Sequence, residues 1–67
     1  MTYAESYKLL SLRESSIFEK IIEGKNNKEI ANELHISVHT VKNHITNIGE
    51  KLGKKGRGEL RRWISEL

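Results

Sequence analysis

Sixty-seven residues make at most one small domain with a marginal core, and with no cysteine present, disulfides and thiolate metal sites are excluded as staples. No apolar run approaches the roughly 20 residues of a membrane span and no signal-peptide pattern occurs, so a cytoplasmic protein without a membrane partner is expected. The net charge of +3 is uneven: Met1 to Leu34 sums to −1 and His35 to Leu67 to +4, so positive charge gathers where a polyanion would dock.

Met1 to Leu9 is a polar lead-in carrying Tyr3 and Tyr7, open between a frayed tail and a short helical arm packed on the body. Ser11 with Glu14 three residues later has the spacing of a capping box. A helix follows with Ile17, Phe18, Ile21 and Ile22 on one face, and Gly24 is its stop signal. Lys25 connects, and Asn26 with Glu29 caps a second helix running to about His35. Ser37 caps a third, whose apolar stripe continues to Leu52 before Gly53. Gly56 and Gly58 loosen the next connection, and Leu60, Trp63, Ile64 and Leu67 mark an amphipathic closing helix. No proline interrupts the chain and no strand-like alternation occurs, so the expected fold is all-α, four helices in one small domain. An arm over 1–9 precedes a domain over 10–67.

The stretch Asn27 to Leu52 reads as two short helices joined by a tight turn. Ile30, Ala31 and Leu34 share one face of the first, and Val41, Ile45, Ile48 and Leu52 form the stripe of the second. At about 100° per residue, His39, Lys42, Asn43 and Thr46 point away from that stripe. This is the pattern of a helix-turn-helix, with a recognition helix over about 38–52 suited to the DNA major groove. Lysine donates to guanine O6 and N7, asparagine pairs with adenine, and threonine offers a methyl to thymine, so Lys42, Asn43 and Thr46 are the expected base contacts. Lys28, Ser37, Thr40 and His39 suit phosphates around the start of that helix, and Lys51, Lys55 and Arg57 suit the flanking backbone. The plain alternatives are an N-cap for Ser37 and solvated charge for the others.

Leu10-Ser11-Leu12-Arg13-Glu14, Asn27-Lys28-Glu29-Ile30-Ala31, Ile36-Ser37 followed by Thr40-Val41-Lys42-Asn43-His44, and Lys51-Leu52-Gly53 together resemble the DNA-binding domain of the LuxR family of bacterial regulators. The likeness runs from Leu10 to about Leu60 and is strongest to the small stand-alone, GerE-type members. It implies a four-helix LuxR/GerE-type helix-turn-helix, winged-helix-like without the wing, in which Lys42, Asn43 and Thr46 match base-facing positions. It also implies dimerisation through the closing helix, with Leu60, Trp63, Ile64 and Leu67 as the expected seam. The same apolar residues also suit an intramolecular core. Lys54, Gly56, Gly58, Arg61 and Arg62 depart from the family pattern around that helix.

The expected function is therefore a dimeric, sequence-specific transcriptional regulator whose partners are promoter DNA, a second copy and RNA polymerase. Two alternatives stand beside it: a small interaction module that sequesters another regulator, and the excised DNA-binding domain of a longer response regulator. His44 lies beside the apolar stripe and suits packing. His39 and His44 are five apart, not the four of a helical metal pair, so no metal is expected. Without aspartate, cysteine or a phosphate-binding glycine loop, neither an enzyme, a cofactor nor a small-molecule ligand is expected.

Overall fold

The computed structural model describes residues 2–56 and 58–66 and contains five helices: α1 (Tyr3–Tyr7), α2 (Leu12–Ile22), α3 (Asn27–Leu34), α4 (Val38–Lys51) and α5 (Glu59–Glu66). The last four are the expected helices, and α1 resolves what the lead-in left open. The first four starts have a local cause. The Ser11 hydroxyl accepts from the Glu14 N–H at 3.2 Å while the Glu14 carboxylate accepts from the Ser11 N–H at 2.9 Å. The same reciprocal pair forms at Asn26 and Glu29, and again at Thr2 and Glu5 ahead of α1. Ser37 caps α4 by accepting from the Thr40 N–H at 3.0 Å.

The ends are as local as the starts. Helix α2 stops at Gly24, whose φ of 86° suits glycine. Helix α3 ends at His35 in the left-handed region, φ 57° and ψ 44°, and the Ile36 N–H reaches back to the Ala31 carbonyl at 3.0 Å. That single left-handed residue makes the turn between α3 and α4.

Helices α2, α4 and α5 pack around one core with α3 seated against α4. Ile17, Phe18, Ile30, Val41 and Ile48 are completely buried at its centre, and Ile21, Ala31, Leu52, Leu60 and Ile64 close around them. Ile22, Leu34, Ile45 and Trp63 form a half-buried rim. Helix α1 lies across one end of this core. Tyr3 meets Phe18 and Trp63 edge-on with ring centroids 5.7 Å and 6.0 Å apart, and its hydroxyl donates to the Ile64 carbonyl at 3.0 Å. Tyr7 meets Phe18 at 5.3 Å, so four aromatic rings tie both ends of the chain to α2.

Candidate nucleic-acid interface

Helix α4 is held from within and open from without. Val41 and Ile48 are at zero exposure on its inner side, and His39, Lys42, Asn43, Thr46 and Asn47 are exposed on the other. The outward row thus carries one cation, two carboxamides, a threonine and an imidazole, and among the described residues its first three turns hold no acid. Asn47 completes the row that begins at His39 and Asn43, one turn further on. The spacing of four between 39, 43 and 47 carries this signal in the sequence, one residue beyond the expected Thr46.

Local hydrogen bonds set what each group offers. The Thr46 hydroxyl donates to the Lys42 carbonyl at 3.1 Å, which leaves its methyl and an acceptor lone pair for an outside partner. The Ser37 and Thr40 hydroxyls lie 2.9 Å apart and share one proton, so the pair keeps one proton free to donate. Lys28 is exposed in the first turn of α3, His44 is half-buried beside the stripe, and Lys55 is exposed beyond the end of α4.

Two of the expected site groups have partners within the protein. The Lys51 ammonium lies 2.6 Å from the buried Glu14 carboxylate, which also accepts from the Ser11 N–H. Lys51 first, and the Ser11 N–H second, hold that carboxyl below its usual range. Lysine at the end of α4 therefore fastens α4 to the start of α2. The second group is on α5, where core and seam were both expected. Leu60 and Ile64 turn inward and are 3% and 9% exposed, because three packed helices leave a gap that these side chains fill. Trp63 stacks on Phe18 at 6.3 Å with 19° between planes and carries the Lys54 ammonium 5.4 Å from its ring centroid. The apolar seam expected on α5 is thus largely intramolecular. Arg57 and Leu67, expected at a phosphate and in that seam, lie outside the described residues.

Arg61, a departure from the family pattern, binds across the molecule. It donates to the Lys25 carbonyl at 3.1 Å and to the Asn27 side-chain oxygen at 2.6 Å. No local spacing signals a contact between residues so distant in sequence. Lys54, the other departure, has its cause in the ring of Trp63 beneath it.

Among the described residues no helix is long and apolar enough to cross a membrane. No solved structure matches the chain. Among characterised proteins, the spore germination protein GerE of Bacillus subtilis is 51% identical over 55 residues, which covers 82% of this chain and 74% of GerE. The oxygen regulatory protein NreC of Staphylococcus aureus is 47% identical over 57 residues, covering 85% of this chain. This chain spans only 26% of NreC. Residues 8–64 match the family model described as bacterial regulatory proteins, luxR family. These are regulators, not enzymes, and the exposed row on α4 sits within their shared helix-turn-helix. The chain belongs to the luxR family of bacterial regulatory proteins and carries its DNA-binding helix-turn-helix.

Proposed function

We propose that the protein is a sequence-specific transcriptional regulator of the cytoplasm that inserts α4 into the DNA major groove. The observation that carries this reading is the two-sidedness of α4, with Val41 and Ile48 fully buried and Lys42, Asn43 and Thr46 exposed. Lys42 donates to guanine, Asn43 pairs with adenine and Thr46 presents its methyl to thymine. Lys28, Ser37, Thr40, His39 and Lys55 hold phosphates on either side, so register comes from the backbone and sequence from the three base readers.

Two copies bind together in this reading. The described body measures 29 × 22 × 19 Å, which is shorter than the roughly 34 Å between half-sites one DNA turn apart. One copy therefore reads one half-site. Pairing runs along the outward edge of α5, through Arg62, Ser65, Glu66 and the exposed rim of Trp63. The edge carries both signs of charge, Arg62 beside Glu59 at 3.3 Å and an exposed Glu66, so a two-fold pairing can match Arg62 of one copy with an acid of the other. Contact with RNA polymerase completes activation, and occlusion of a promoter gives repression.

Selection of bound DNA from a random pool tests the proposal. A palindromic consensus with half-sites about one turn apart is the expected result. Recovery of unenriched DNA would refute sequence-specific reading, and a single asymmetric half-site would refute the pairing.

A further inference from the structure

A groove lies beside the recognition surface, between the 25–27 turn, the start of α4 and α5. It has a volume of about 530 Å³ and is walled by Asn26, Asn27, Lys28, Val38, Lys42 and Arg61. Three of these are cations, two are carboxamides and none is acidic. Glu29, on the same turn, is turned back onto the Asn26 N–H at 2.9 Å.

Arg61 is the unusual member. It comes from α5, it is half-buried, and its two hydrogen-bond acceptors are a carbonyl and a carboxamide, both uncharged. The ion pairs among the described residues engage Lys20, Lys25, Lys51 and Arg62, not Arg61. Burial lowers its pKa, as expected of a cation without an anionic neighbour. The two bonds use two of the five guanidinium N–H groups and fix the fork at the groove wall, with the rest left for an incoming acceptor. A half-buried guanidinium held in place by neutral groups suits a phosphate better than a water-mobile surface lysine does, since little side-chain freedom remains to be lost.

We propose that Arg61 makes a DNA backbone contact from the closing helix, gripping with Lys28 a phosphate of the strand that Lys42 reads. This rests on the proposal that α4 enters the major groove. The shared wall gives the contact its purpose: Lys42 lines the same groove, so a phosphate seated there fixes the distance between the backbone and the base reader. Asn27 transmits the restraint to the first turn of α3.

Binding to the selected site and to random duplex is measured against salt for wild type, Arg61→Met and Arg61→Lys, with helicity checked by circular dichroism. Arg61→Met should bind both duplexes roughly tenfold more weakly at low salt. Its log K against log salt plot should be shallower by about 0.9 for each protomer bound. Arg61→Lys should restore the slope and only part of the affinity, because it keeps the charge and loses the fork. A weakened Arg61→Met with the wild-type slope would overturn the proposal, since Arg61 would then only brace the 25–27 turn. A wild-type chain with no salt-dependent binding would instead remove the DNA reading. Inorganic phosphate, titrated into wild type at constant ionic strength, decides the groove in that event and also if Arg61→Met fails to fold. Saturable NMR shifts at the Arg61 Nε–H and at Lys28 support it, and their absence overturns it.

Discussion

Lys42 occupies the middle of an exposed row whose other members are uncharged or imidazole, so its ammonium is the strongest donor that α4 presents. Lys42→Ala should cost about 1–3 kcal/mol on the selected site and relax preference at one base position, read by competition binding. An equal loss on random duplex would mean that Lys42 meets only phosphate. Glu14 makes a different residue-scale prediction, one of stability. Its folded pKa lies below the unfolded value of about 4.5, held there by Lys51 first and by the Ser11 N–H second. A depressed carboxyl contributes stability above the unfolded pKa and loses it as pH falls through the folded one. Melting temperature should therefore drop steeply with acidification below about pH 4.5, and less steeply in Glu14→Gln. At neutral pH that variant should be less stable by about 1–2 kcal/mol, since the Lys51 ammonium and the Ser11 N–H lose their charged acceptor. Identical acid profiles for the two chains would show that the Glu14–Lys51 pair does not control acid unfolding.

Helix α4 ends on a close approach. A Cβ built at Gly49 would fall 2.7 Å from the Lys54 carbonyl oxygen, and the Lys54 N–H donates to the Gly49 carbonyl at 2.7 Å. Mid-helix glycine normally costs about 1 kcal/mol against alanine. Here the sign reverses: Gly49→Ala should destabilise by about 1–3 kcal/mol, because backbone and not a flexible side chain must move. Chemical denaturation gives the comparison, and a stabilised Gly49→Ala would remove the packing account of this glycine. This element also marks what sequence could and could not reveal. Ser11 with Glu14, Asn26 with Glu29, and Ser37 are legible because a cap is made within four residues, and the stripe from Val41 to Leu52 because burial repeats with the helix turn. Thr2 with Glu5 has the same spacing, yet a five-residue helix offers no periodicity to support it. Gly49, Lys51 and Arg61 were opaque, since their partners arrive only when helices pack. The exposed face of α4 was therefore readable, whereas the fate of its neighbouring cations was not.

At the scale of the whole molecule, the proposed pairing predicts a salt dependence. If each copy neutralises about 3–5 phosphates, the paired complex should show a log K against log salt slope of roughly −5 to −9. Sedimentation should show pairing that strengthens on DNA and weakens in Arg62→Glu, which reverses the charge on the proposed pairing edge. A chain still single on a palindromic duplex would refute pairing along α5. Trp63→Ala separates core from seam: it removes a ring packed on Tyr3 and Phe18, so a loss of stability of about 2–3 kcal/mol is expected even in dilute solution. Any additional dependence on protein concentration measures the share of Trp63 that faces a second copy.

The bond from the Tyr3 hydroxyl to the Ile64 carbonyl spans 61 positions of the chain, whereas α3 and α4 meet across a single turn. Loop closure of that length is entropically slow compared with neighbouring helices docking, so the helix-turn-helix should assemble first and α1 should clasp α5 last. The last contact to close is the first to open. Amides of α5 should accordingly exchange with solvent through a low-energy opening that leaves α3 and α4 protected. The DNA-reading unit would then keep its shape while the aromatic end of the molecule breathes.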